Sequence, residues 1–214
     1  MSVTRQSSVR PVDLRQLAAR LTGELRFDRT MRTLYATDAS EYQELPVAVA
    51  LPKTEADVRE LIAFANRHGI GLIPRTAGTS LAGQVVGNGI VVDLGRHLNR
   101  IVATDAPARR VRVQPGVVRN ELNLALKPHN LFFTPETSTA NRAMVGGMVG
   151  NNSCGANSIV HGTTREHLVS TRGFLSDGVI AVKKFVVSEP EMNPRTVNGV
   201  AVRWALLNRS FSLL

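Results

Sequence analysis

The sequence predicts an α+β fold. The order strand, helix, strand, glycine-containing loop, strand can be read across Val47–Leu94. A hairpin pattern follows over His97–Gln114. Hydrophobic residues make up 43% and charged residues 20%, the balance of a globular chain with a real core. Aromatics are only 5%, so Val, Leu, Ile and Ala must build that core.

In chain order, Leu14, Leu17, Ala18 and Leu21 recur at helical spacing, predicting a helix over Asp13–Thr22 with Gly23 as its stop. Leu34–Tyr42 is polar and irregular. Pro46 introduces Val47–Leu51, an apolar run short enough for a buried strand. Thr54-Glu55-Ala56-Asp57 has the form of a capping box, and the helix behind it should run to His68 and stop at Gly69. Gly71–Ile73 is the next strand and Ile90–Leu94 the one after. Arg109–Gln114 alternates Val111 and Val113 with Arg110, Arg112 and Gln114, so one face of that strand should be wet. Val118, Leu122, Ala125 and Leu126 mark a helix broken near Pro128. Arg165–Ser176 is mixed. Asp177-Gly178 turns the chain into a strand over Val179–Val187, and Ser188–Leu214 shows no strand–helix alternation.

Two stretches of small residues interrupt this pattern. Ile73–Gln84 (IPRTAGTSLAGQ) joins two apolar runs, and its small residues let backbone amides approach an anion closely. Thr134–Gly162 carries glycines at 146, 147, 150, 155 and 162 among Asn, Ser and Thr. It reads as a long loop, functional or disordered, with too little apolar surface in Asn151–Ser158 to order itself. Both stretches are candidates to line one site.

Bulk properties exclude several classes. The single Cys154 rules out an internal disulfide and a cysteine cluster for zinc or iron–sulfur, so no metal site is expected. No apolar run reaches the roughly 18 residues of a membrane span, and Met1–Arg20 lacks the apolar centre of a signal peptide. The cytoplasm is the expected location, with attachment to a membrane surface through a partner as the variant of it. The net charge of +9 points to anionic ligands. Nucleic acid is not the expected partner, because the cations are spread along the chain without interleaved aromatics.

Familiar phosphate motifs fail on particular residues. Gly78–Gly83 fits GxxxxG, but Gln84 and Val85 stand where a P-loop needs Lys and Ser or Thr. A GxGxxG directly after the first strand is missing, so a dinucleotide-binding Rossmann fingerprint is excluded.

Pro74–Gly83 (PRTAGTSLAG), Gly146–Gly155 (GGMVGNNSCG) and His161-Gly162, at this spacing, resemble the FAD-binding domain of the p-cresol methylhydroxylase/vanillyl-alcohol oxidase flavoprotein superfamily. Within it the chain is most similar to bacterial FAD-linked dehydrogenases of 2-hydroxy acids, of the D-lactate, glycolate and D-2-hydroxyglutarate type. The version in which a flavin half precedes an iron–sulfur half is the nearest pattern. The resemblance covers Tyr35–Gly178 and implies a two-subdomain fold with FAD extended between α/β subdomains. The implied organisation is a helical lead-in over 1–33, an incomplete FAD-binding domain over 34–187 and a poorly patterned tail over 188–214.

The resemblance also implies roles. Pro74, Arg75, Thr76, Ala77, Gly78, Thr79 and Ser80 would wrap the pyrophosphate, chiefly through backbone amides. Pro135, Ser138, Gly146, Gly147, Asn151, Asn152, Ser153 and Gly155 would contact the flavin and ribityl chain. Thr79 stands where covalent relatives place a His, and Thr134–Gly147 holds no Cys, so FAD should be bound non-covalently. Gln84 replaces a Gly common at that place and should tighten the loop's exit. The implied activity is oxidation of a small 2-hydroxy acid by hydride transfer to flavin. Electrons would pass to a downstream acceptor such as an iron–sulfur domain or subunit. The catalytic base is expected outside these residues, in a truncated or frameshifted remainder. The alternatives are an FAD-binding module without turnover and a UDP-N-acetylenolpyruvoylglucosamine reductase-like flavoenzyme.

Single residues carry less. Arg75 reads either as a phosphate counter-charge or as a surface arginine. Cys154 reads as a small buried hydrophobe and His161 as a packed neutral imidazole. His129 and His167 belong to the surface or to the surroundings of the site, and Asp38, Ser40 and Tyr42 receive no role.

Overall fold

A computed structural model describes residues 9–184 and the backbone of 201–203. The chain divides into two units, residues 1–97 with 176–178, and residues 98–175 with 179–214.

The first unit contains helix α1 (Pro11–Ala18), strand β1 (Glu24–Arg26), helix α2 (Arg29–Leu34), strand β2 (Ala48–Leu51), helix α3 (Glu55–His68), strand β3 (Leu72–Arg75) and strand β4 (Ile90–Asp93). Its sheet has the order β1-β2-β4-β3. β2, β4 and β3 are parallel, with Ala48 and Leu72 both level with Ile90, and β1 runs antiparallel along β2. β2 and β4 are buried at every position, which is why both read as unbroken apolar runs. α3 starts as its capping box requires. The Thr54 hydroxyl accepts from the Asp57 amide at 3.1 Å, and Gly69 ends the helix at φ +61°. Val58, Leu61, Phe64 and Ala65 form its buried stripe.

Asp57 does more than cap. It is 2% exposed and accepts from the amides of Thr22 (2.7 Å), Gly23 (3.1 Å), Lys53 (2.8 Å) and Thr54 (3.1 Å). It thereby ties the α1–β1 connection to the start of α3. Residues within the expected lead-in over 1–33 take part in the first unit's packing. Leu14 and Leu17 of α1 are buried in the first unit, and β1 pairs with β2. α1 also ends four residues short of the expected Thr22, because the backbone there turns to meet Asp57.

The second unit contains strands β5 (Ile101–Asp105) and β6 (Arg110–Val113), helices α4 (Arg119–Leu126), α5 (Val145–Asn151) and α6 (Ser158–His161), then strands β7 (Leu168–Phe174), β8 (Ile180–Lys184) and β9 (Ala201–Arg203). Its sheet has the order β5-β6-β9-β7-β8. β5 and β6 form the expected hairpin, and β6 alternates exposed arginines with buried Val111 and Val113. Val111, Val113, Val117, Leu122, Leu126, Phe133, Val145 and Met148 share one buried cluster.

Three expectations are corrected here. Thr134–Gly162 is not loop throughout, since α5 and α6 lie within it. The i, i+3 pair Val145 and Met148 is buried in the cluster, and that burial outweighs the low helix propensity of Gly146, Gly147 and Gly150. The mixed stretch 165–176 contains β7, whose buried positions include Ser170 and Thr171 and so hide the apolar pattern. The tail 188–214 contributes β9, paired parallel to both β6 and β7; three residues are too few to announce a strand without those neighbours. The rest of that tail lies outside the described residues.

Charge divides unevenly. Residues 98–175 and 179–184 carry eleven Arg and Lys against four Asp and Glu. In residues 9–97 and 176–178 eleven cations meet eleven anions. Among the described residues no helix is long and apolar enough to cross a membrane.

Candidate functional site

The first loop leaves the C-terminal end of parallel strand β3, the end at which open parallel sheets bind ligands. Pro74 and Arg75 are the last strand residues, and Thr76–Ser80 form the loop. Among the described residues the amides of Thr76, Ala77, Gly78 and Thr79 have no protein acceptor. Such a run of free N–H groups next to small side chains is suited to an anion. Gly78 stands at φ +65°, and a Cβ there would lie 2.4 Å from Arg75 Nη2.

Arg75 is half-buried and engaged by the first unit's own backbone. Its Nη1 donates to the Thr37 carbonyl at 2.6 Å and more weakly to the Tyr35 carbonyl at 3.5 Å, and its guanidinium lies over the Tyr35 ring at 5.1 Å. Tyr35 in turn donates its hydroxyl to Asp93 Oδ2 at 2.6 Å, while Asp93 Oδ1 accepts from the amides of Gly95 and Arg96. Burial foremost, and the Asp93 hydrogen bond after it, push the Tyr35 phenol well above its ordinary pKa, so it remains a neutral donor. At the loop's exit Ser80 Oγ donates to Gln84 Oε1 at 2.8 Å and accepts from the Ala82 amide at 3.1 Å. Tyr42 packs beneath Gly83, and Asp38 holds the Ser40 amide and hydroxyl in an Asx turn.

The second segment is braced by α4. Arg119 donates to the carbonyls of Pro135 (3.1 Å) and Phe133 (3.4 Å). Asn123 accepts from the Phe133 amide at 2.7 Å and donates back to its carbonyl at 3.3 Å. Pro135 is therefore buried with its carbonyl engaged, whereas Ser138 is exposed. Gly146 donates to the Pro115 carbonyl at 2.9 Å, and a Cβ there would meet Pro115 Cβ at 2.5 Å. The glycine is needed for close packing. Gly146→Ala should lower stability by about 1–3 kcal/mol through overpacking, read as a lower urea midpoint at unchanged slope.

Gly147 and Asn151 are exposed. Asn152 closes α5 in the left-handed region at φ +49°, and its Oδ1 accepts from the Arg165 amide at 2.9 Å. Ser153 donates its amide to Met148 and accepts at its carbonyl from Thr164 Oγ1 at 2.6 Å. Gly155 donates to Ser158 Oγ at 2.9 Å. Cys154 is exposed, contrary to the buried hydrophobe expected, because the α5–α6 connection has little apolar surface to cover it.

His167 Nε2 lies 2.6 Å from the His161 carbonyl, which can only accept, so that nitrogen carries the proton; the Thr134 hydroxyl lies 2.9 Å away on the same atom. Burial, the largest influence, lowers the His167 pKa and keeps the ring neutral. His161 is half-buried against the edge of Phe132.

The first unit thus brings Pro74–Ser80 together with Tyr35, Thr37 and Asp93, and the second brings Pro135 and Ser153 together with Arg119 and Thr164. Sequence reasoning missed Tyr35, Asp93, Arg119 and Asn123. Only the last two carry a local signal, two polar residues four apart on one helix face. The free amides of Thr76–Thr79 fit a diphosphate, and no bulky side chain stands among them.

Comparison with known proteins identifies the family. Residues 46–182 match the family described as FAD binding domain. The chain is 43% identical over 161 residues to the D-2-hydroxyglutarate dehydrogenase of Haemophilus influenzae, covering 74% of this chain and 16% of that protein. It is 28% identical to the glycolate oxidase subunit GlcD of Bacillus subtilis, covering 78% of this chain and 37% of the relative. Among solved structures, an alkyldihydroxyacetonephosphate synthase superposes with a TM-score of 0.71 at 19% identity, over 84% of this chain and 39% of that one. The chain therefore spans only a small part of the relatives it matches, and it belongs to the FAD-binding domain family of the p-cresol methylhydroxylase/vanillyl-alcohol oxidase type.

Proposed function

We propose that this chain is the FAD-binding portion of an oxidoreductase acting on a small 2-hydroxy acid of the D-2-hydroxyglutarate, D-lactate or glycolate kind. The observation that carries the cofactor half is the run of four amides, Thr76–Thr79, at the end of β3, which have no acceptor among the described residues. They would hold the pyrophosphate, with Pro74, Arg75 and Ser80 shaping the loop. Ser138, Gly147, Asn151, Asn152 and Ser153 would contact the rest of the cofactor. Pro135, Gly146 and Gly155, whose backbone groups are engaged within the protein, would set the shape of that segment. Thr79 stands where covalently linked relatives place a His, and Thr134–Gly147 holds no Cys, so binding would be non-covalent. When bound, FAD supplies a two-electron acceptor for the hydride of a substrate carbon.

The substrate half rests on the names of the relatives. The base for the substrate hydroxyl is proposed to lie outside this chain. The electron acceptor is proposed to be an iron–sulfur domain or subunit, and the excess of seven cations in the described part of the second unit suits an acidic one. The proposed location is the cytoplasm.

The test is a titration of the purified chain with FAD, followed by flavin fluorescence, then anaerobic addition of D- and L-2-hydroxy acids to the loaded protein. Saturable quenching without bleaching by this chain alone is the expected result. No quenching would remove the cofactor reading, and bleaching would place the base within these residues.

A further inference from the structure

We infer that Tyr35, Arg75 and Asp93 form a clamp that positions the anion-binding loop, and that Arg75 acts on the cofactor through the loop's backbone and not as a phosphate counter-charge. The inference rests on the cofactor reading above and adds a division of labour to it.

The geometry is directional. The Arg75 guanidinium is held by the carbonyls of Tyr35 and Thr37 through Nη1 and lies over the Tyr35 ring. Gly78 packs against its inner side, closer than any side chain could come. Arg75 therefore joins two backbone segments that are nearly forty residues apart in sequence. Its own carbonyl accepts from the Leu94 amide at 2.8 Å, so the residue is held at both ends. The Tyr35 ring is fixed by Asp93, and Asp93 is fixed by two amides just beyond β4. Apart from the contact of Arg75 with the Tyr35 ring, each link is a hydrogen bond to or from a charged or buried group, the kind that holds one geometry. Two carbonyls and a ring fix the guanidinium in place, and the backbone N–H groups of Thr76–Thr79 supply the donors for the phosphate.

A salt-bridging Arg75 and a positioning Arg75 differ in what they predict. Tyr35→Phe removes one hydroxyl and no charge, and Arg75→Lys keeps the charge but loses the planar fork. Both should weaken FAD binding about tenfold. In the FAD-free protein, 15N relaxation should show order parameters at Thr76–Thr79 falling from about 0.85 toward 0.6, with those of β4 unchanged. Arg75→Gln should leave the slope of log Kd against log salt as it is in the unmodified chain, because no ion pair to the ligand is lost. Unchanged order parameters, or a slope that flattens in Arg75→Gln, would overturn the clamp. If the unmodified chain does not take up FAD, the cofactor reading fails, while the order parameters still decide whether the clamp exists.

Discussion

Gly78→Ala is expected to weaken FAD binding by at least tenfold while leaving the fold intact. An alanine at φ +65° costs about 1–2 kcal/mol of backbone strain, which a domain of ordinary stability survives. The larger effect is steric. Its Cβ would stand 2.4 Å from Arg75 Nη2 and 2.8 Å from Cζ, so the guanidinium must leave the Thr37 carbonyl or the loop must move outward. Either displacement misplaces the amides of Thr76–Thr79. Gly71→Ala is the control, since nothing lies within 4 Å of a Cβ at that position. Fluorescence titration with FAD reads both variants. Equal affinities in Gly78→Ala, Gly71→Ala and the unmodified chain would take this loop out of cofactor binding.

Asp57→Ala should give the largest loss of stability, about 3 kcal/mol, because it leaves four amides around a buried side chain without their acceptor. Asp57→Asn keeps one oxygen acceptor and should lose about half as much. The effect depends on pH in a definite direction. Burial is the largest single influence on this carboxyl and raises its pKa; the hydrogen bonds from Thr22, Lys53, Thr54 and Gly23 together outweigh it and hold the carboxyl below its ordinary value. A group whose folded pKa is depressed contributes fully above its unfolded value, about 3.9, and loses that contribution as pH falls through the folded one. Urea midpoints measured from neutral pH down to about pH 3 should therefore converge for the unmodified chain and Asp57→Asn. A gap that stays constant with pH would mean that the carboxylate charge contributes nothing.

The elements easiest to read were those governed by local chemistry. The Thr54 capping box, the Gly69 stop and the uninterrupted apolar runs of β2 and β4 each carry their own cause in adjacent residues. The half-wet strand β6 was legible from alternation alone. The FAD-binding family was legible by resemblance from the paired small-residue stretches, and the family match over 46–182 bears that out. Elements held in place by distant partners were illegible. β1 and β9 have three residues each, α5 owes its helix to Val145 and Met148 in the core, and β7 buries Ser170 and Thr171.

For the site, the sequence by itself determined which residues are small enough to leave backbone amides free and where a bulky side chain is forbidden. The tertiary structure decided what the one cation of the first loop does. An arginine beside a glycine loop has a long, flexible side chain, and its direction depends on which acceptors the fold brings within reach. Here those are the carbonyls of Tyr35 and Thr37, with a tyrosine ring fixed by Asp93 behind them. Position along the chain cannot report such a contact, because the partners meet only after β3 and β4 have paired.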